Sequence, residues 1–251
     1  MVSGMNPAAA PVLISPSRTA EALHIAGLRR ANVRSIHLSG PLGKLEALLN
    51  EGAPDAPFAA LVCHPHPLGG GTMHNKVVYH AMKVLNDPEW GLGCPVLRFN
   101  FRGTGLSQGQ HDGEAESGDV LAALDWLEDE YKRPLVVAGF SFGAAMVVKA
   151  CCSPSQLGTN LNFRALAALG LPIQVDGREY NYPLLRTSTI PKLFLSGDHD
   201  QFAPAVELVQ VAASAAEPKR LVLLPGADHF FTGQLEPMQH AFSCWLKEQL
   251  P

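Results

Sequence analysis

The chain has 251 residues and a mass of 26.9 kDa, with 47% apolar and 17% charged residues. Area scaling then buries about 70% of the unfolded surface, which excludes disorder for the bulk of it. Nineteen Lys and Arg against 23 Asp and Glu give a net charge of −4 without any long basic run, so there is no electrostatic footprint for nucleic acid.

Residues 1–20 are rich in Ala, Pro and Ser and read as a loose tail, with a single domain expected over 21–251. Met1 to Leu13 lacks a cationic segment, so no secretory signal is expected. No stretch anywhere approaches the roughly 20 apolar residues of a membrane span. Ser35–Leu38 and Leu45–Leu49 flank Gly40-Pro41-Leu42-Gly43, a hairpin signal that predicts antiparallel strands ahead of the rest. Six short apolar runs follow: 58–63, 95–101, 134–138, 165–169, 192–195 and 220–224. Each is continuously apolar rather than alternating, as in strands buried on both faces. Amphipathic stretches lie between them. Leu121, Leu124 and Leu127 form one stripe, and Met238, Ala241, Phe242, Trp245 and Gln249 form another. The alternation predicts an α/β fold, a mostly parallel sheet covered by helices on both faces. Residues 174–190 lack a helical period and are too few for a substantial cap domain.

The five cysteines (63, 94, 151, 152 and 244) show no Cys-x-x-Cys spacing, and each sits in an apolar run. They are expected to be buried and reduced, which predicts a cytoplasmic location.

Gly139-Phe140-Ser141-Phe142-Gly143 follows one predicted strand and opens a predicted helix. The bare Gly-x-Ser-x-Gly pattern is weak, but in this setting it reads as a nucleophile elbow. A serine nucleophile requires a base and a group to orient that base. Downstream, Ser196-Gly197-Asp198-His199-Asp200 and Pro225-Gly226-Ala227-Asp228-His229 each leave a predicted parallel strand at its carboxyl end, where open sheets bind ligands. Asp198 and Asp200 both stand as candidates for the acid. Among the histidines, His240 lies within the last helix near its exposed side, and His199 as base would leave His229 idle. His229 is therefore the expected base.

His64-Pro65-His66-Pro67-Leu68-Gly69-Gly70-Gly71 leaves the first apolar run, where a second oxyanion donor is drawn in such enzymes. Prolines have no N–H, so the donor is His66, Leu68 or a later glycine. Leu68 is also expected to contact substrate. Metal binding by His64, His66, His74 and His80 is disfavoured because no acidic ligand spacing accompanies them. The run 69–76 fails the phosphate-loop pattern at Asn75 and Val77, and Gly103-Thr104-Gly105 is too short for a dinucleotide fingerprint. No cofactor is expected.

These residues resemble the α/β-hydrolase superfamily over about Leu45 to Leu250. The resemblance is strongest to a group of small, cap-less hydrolases that share His-Pro-His-Pro, Arg98-Phe99-Asn100-Phe101-Arg102-Gly103, Gly139-Phe140-Ser141-Phe142-Gly143 and His229-Phe230-Phe231. It implies Asp200 as the acid, through Gly197-x-x-Asp200-x-x-x-Pro204, and implies the N–H groups of Phe142 and His66 as the oxyanion hole. His74 departs from the acidic residue usual at that position. The function expected is hydrolysis of small carboxylic esters by Ser141, Asp200 and His229. The alternatives are a thioesterase or peptidase with the same triad, or a non-catalytic binding module on the fold. A histidine base predicts activity rising through roughly pH 6–7.

Overall fold

Two glycines and the two residues between them start the sheet. β1 (Val33–Gly40) and β2 (Gly43–Asn50) pair antiparallel with Gly40 opposite Gly43, so Pro41-Leu42 is the whole loop. This is the hairpin the sequence predicts. The computed structural model describes residues 32–88, 92–153, 161–175 and 177–250. The tail expected over 1–20 and the start of the domain expected from residue 21 lie outside them.

The six apolar runs become β3 (Ala59–Cys63), β4 (Val96–Phe99), β5 (Leu135–Phe140), β6 (Phe163–Leu169), β9 (Lys192–Gly197) and β10 (Lys219–Leu224). With the hairpin they form one eight-stranded sheet, ordered β1-β2-β4-β3-β5-β6-β9-β10. β2 joins β4 antiparallel, and every later pairing is parallel. Alternate residues of one strand feed opposite cores. On β3, Leu61 and Cys63 join the first, whereas Ala60 and Val62 join the second. Two covered faces explain why the runs are continuous rather than alternating.

Helices α2 (Ser117–Tyr131), α3 (Phe142–Cys151) and α4 (Ala205–Ser214) pack on the first face, and α1 (Lys76–Asn86) and α5 (Leu235–Gln249) on the second. The α5 stripe buries Met238, Phe242 and Trp245 as its period predicts, with Ala241 and Gln249 at the margin. On α2 the expected stripe is corrected. Val120, Ala123, Leu124 and Leu127 are buried and Leu121 only half so, because 3.6 residues per turn moves the apolar face off a strict every-third spacing.

Within 174–190 the chain makes a two-residue pair, β7 (Gln174–Val175) with β8 (Arg178–Glu179), and a 3-10 turn at Pro183–Arg186. Leu185 is buried in the core and Tyr180, Tyr182 and Leu184 pack against it. Among the described residues, no substantial cap domain stands over the sheet edge. All five thiols are free. Four are buried as expected, but Cys244 is exposed on the outer side of α5, one residue from the buried Trp245. Among the described residues, no helix is long and apolar enough to cross a membrane.

Candidate active site

β5 ends at Phe140 and α3 begins at Phe142, leaving Ser141 as the single residue of the turn. Its φ of +55° and ψ of −122° lie outside the regions a side-chain-bearing residue adopts freely, a strain on the order of 1–3 kcal/mol. The surroundings hold it there. Ser141 N–H donates to Leu169 O at 2.9 Å, and Ser141 O accepts from Ala144 N–H at 2.8 Å. Gly143 lets the turn sit directly on β3, since a Cβ there would lie 2.5 Å from His64 O and 2.6 Å from Cys63 O.

The Ser141 hydroxyl lies 2.9 Å from His229 Nε2. On the other side of that ring, Nδ1 is 2.8 Å from Asp200 Oδ2 and 3.0 Å from Oδ1. With Nδ1–H donating to the carboxylate, Nε2 is left as the acceptor for the serine hydroxyl. His229 and Asp200 are buried, at 2% and 3% exposure, so the chain of bonds is shielded from water except at the serine.

Asp200 is held by more than the histidine. Ser196 Oγ donates to its Oδ2 at 2.6 Å, and the N–H groups of Phe202 and Ala203 donate to Oδ1 at 2.8 and 3.0 Å. Burial pushes its carboxyl up, but the bonds and charge from His229, with Ser196 and Phe202 N–H, outweigh burial and hold it below the usual carboxylate range. Asp198, the other acid candidate, points away and accepts Gly226 N–H at 2.6 Å, tying the loop after β9 to that after β10. His199 and His240 are both exposed and distant from this chain of bonds. The His229 ring is boxed by Phe140, Phe202 and Phe230, with centroids 5.1, 4.7 and 5.1 Å away. Gly170, at φ +54°, closes the box, because a Cβ there would lie 3.1 Å from both His229 Cε1 and Phe140 Cε2.

In the loop after β3, most backbone donors are already engaged. Leu68 N–H donates to His66 Nδ1 at 3.2 Å, Gly69 and Gly71 N–H donate to His66 O, and Gly70 N–H donates to Pro67 O. His66 N–H has no acceptor among the described residues, and neither has Phe142 N–H in the first turn of α3. The Leu68 side chain is 82% exposed and lines the cleft. His64 is a strut. Its Nε2 accepts Phe101 N–H at 3.0 Å and Nδ1–H donates to Pro65 O at 2.6 Å, while burial pulls it down to about 4 and keeps it neutral. Asn75 caps α1 through Val77 N–H, which gives the Asn-Lys pair a helix-initiating role.

Sequence reasoning missed several neighbours. His111 packs edge-on to His66 and Phe142, with centroids 4.7 and 5.4 Å away, and its Nδ1 meets the buried Glu116 carboxylate. Ser196 stands two residues from Asp198 and four from Asp200, and its position at a strand end was the available signal. Arg178 lines the cleft from β8 and had no sequence signal. The motif 98–103 is structural. Arg98 holds Asn50 Oδ1 and Met73 O, Asn100 bridges Met73 N–H and Glu46, and Arg102 pairs with the buried Asp119 at 2.7 Å. Among the described residues, no three His, Cys, Asp or Glu side chains converge as metal ligands.

Ser141, His229, His66 and Leu68 share one open cleft of about 560 Å³ at the carboxyl edge of the sheet. Residues 61–240 match the family described as the alpha/beta hydrolase domain. The Rickettsia prowazekii protein RP471 is 34% identical over 220 residues, 84% of this chain and 87% of that one. Among solved structures, an α/β serine hydrolase without a lid from Xanthomonas campestris is 30% identical with a TM-score of 0.75, covering 89% of this chain and 98% of that one. An α/β serine hydrolase homologue from Coxiella burnetii is also 30% identical, with a TM-score of 0.73 over 86% of this chain and 96% of that one. Fold, strand order and sequence match agree: the chain belongs to the α/β-hydrolase family.

Proposed function

We propose that the protein is a serine hydrolase of small carboxylic esters that works through an acyl-enzyme. The observation that carries this reading is the unbroken chain from Ser141 Oγ to His229 at 2.9 Å and from His229 to Asp200 at 2.8 Å. Ser141 Oγ attacks the ester carbonyl as His229 Nε2 takes its proton. Asp200, already ionised and fixed by four donors, stabilises the imidazolium and keeps the ring in the productive tautomer. The developing oxyanion is received by Phe142 N–H and His66 N–H, which have no other acceptor among the described residues. Donors of this kind contribute about 3–4 kcal/mol each to the transition state. His229 then protonates the departing alcohol, and a water activated by the same nitrogen releases the acid.

Among the described residues the cleft is open, and none of them forms a lid that would enclose a long chain. Each buried methylene stabilises a bound acyl group by about 0.8 kcal/mol only where a wall excludes water, so acyl groups on the order of two to six carbons are preferred. The free thiols suit a reducing, cytoplasmic setting. A fluorophosphonate probe tests the mechanism: it labels Ser141 in the wild type and nothing in Ser141→Ala, which also loses ester turnover by orders of magnitude. Turnover retained in that variant, or abolished by a chelator in the wild type, refutes the reading.

A further inference from the structure

The cleft is lined by a cation whose role the triad does not explain. Arg178, on β8, lines it together with Ser141 and His229. Its guanidinium carbon lies 6.0 Å from the Phe142 ring centroid and 5.9 Å from that of Tyr180. The guanidinium also lies against the turn at Gly113, where a Cβ would overlap it. Three surfaces therefore seat this group, yet no carboxylate among the described residues pairs with it, and its buried Nη1 has no acceptor there.

The nearest acid in the cleft is already committed. Asp112 accepts Glu114 and Ala115 N–H through Oδ1, at 2.8 and 2.7 Å, and turns Oδ2 toward Arg102 at 3.7 Å. Glu116 is fully buried; its Oε1 accepts the N–H groups of Asp112 and Gly113 and faces His111 Nδ1, its Oε2 has no partner among the described residues, and neither oxygen pairs with Arg178. The positive charge of Arg178 also reaches the oxyanion side, where it helps to lower the His66 pKa behind burial and His111. The planar fork of a guanidinium matches a planar, bidentate acceptor such as a carboxylate.

We propose that Arg178 binds a carboxylate carried by the ester substrate within a few bonds of the scissile carbonyl, making it a specificity-determining residue. The inference rests on the reading of Ser141 as nucleophile. An arginine that only pinned the β7–β8 pair by stacking would not discriminate between charged and neutral substrates.

The test compares anionic esters with neutral partners of similar size on the full chain. Mono-4-nitrophenyl glutarate against 4-nitrophenyl 5-methylhexanoate places the carboxylate on the acyl side. 4-Acetoxybenzoate against its methyl ester places it on the alcohol side. In the wild type, one of the two anionic esters is expected to exceed its neutral partner in kcat/KM by about tenfold, chiefly through KM. That preference should shrink as salt is raised. Arg178→Gln should erase the ratio and Arg178→Lys should restore part of it. Gly113→Ala, which displaces the guanidinium without removing its charge, should lower it as well. The pair that shows the preference identifies which part of the ester bears the anion. Ratios near one for both pairs, or a ratio unchanged in Arg178→Gln, overturn the inference. Fluorophosphonate labelling of Ser141 in the same samples separates the cases: labelling without a charge preference defeats only the Arg178 assignment, whereas absent labelling and turnover defeat both.

Discussion

Replacing Gly170 with alanine tests how tightly the base is held. Gly170 stands at φ +54°, and a Cβ would lie 3.1 Å from His229 Cε1, 3.2 Å from its Nδ1 and 3.1 Å from Phe140 Cε2. Ordinary carbon contacts begin near about 3.5 Å, so about 0.4 Å must be found. Phe140 is fully buried and two atoms of the imidazole face the added Cβ against one of Phe140, so the imidazole must take up part of the shift. If a displacement of about 1 Å costs roughly a hundredfold, then the full 0.4 Å costs about five- to tenfold in kcat. The left-handed backbone adds about 1–2 kcal/mol of destabilisation, or about 2–8 °C in Tm for a chain of this size. Saturating 4-nitrophenyl acetate hydrolysis and a thermal melt read the two effects separately. A variant with lowered Tm but wild-type kcat would refute the argument that Gly170 sets the position of His229.

Other changes should act in predictable directions. Ser196→Ala removes the 2.6 Å bond to Asp200 and should lower kcat/KM about tenfold, read by the same ester assay. Asp119→Asn removes the close, buried counter-charge of Arg102 and leaves it only Asp112 at 3.7 Å, and urea unfolding should show a loss of about 3 kcal/mol. Because Asp200 is held below the usual carboxylate range, its contribution to stability is present above about pH 4 and is lost as pH falls through its folded value. Tm measured from pH 6 down to pH 3 should therefore fall more steeply in the wild type than in Asp200→Asn. A thiol reagent should modify Cys244 alone in the native protein, since burial pushes the thiols of Cys63, Cys94, Cys151 and Cys152 up, Cys94 to about 12.

The strands were legible because a sheet covered on both faces imprints unbroken apolar runs, and 134–138 needed only extension to Phe140 to reach the serine. The turn at Ser141 and the loops after β9 and β10 were legible for a related reason: they punctuate those runs. The spacing could not separate Asp198 from Asp200, since both lie on one short loop and differ only in the direction of the side chain. Leu121 and Cys244 were misplaced because apolar neighbours along the chain do not set the angle around a helix. Arg178, His111 and Glu116 were invisible for a deeper reason. Arg178 and His111 enter the cleft from a short strand and a loop without periodicity, and Glu116 lies buried behind His111. Contacts such as those of Arg178 and His111 with Phe142 join residues far apart in sequence.

The contact of Gly143 with the carbonyls of Cys63 and His64 bears on how such a protein can change over generations. The two N–H groups proposed to receive the oxyanion, those of Phe142 and His66, hang from this junction, and main-chain atoms make it. Side chains elsewhere can be exchanged without disturbing the junction. The residues that shape the cleft, among them Val175, Tyr180, Phe202 and Phe230, come from other loops. A duplicated copy is thus free to change the lining of its cleft while that junction stays in place, and directed evolution restricted to those four positions inherits the same freedom.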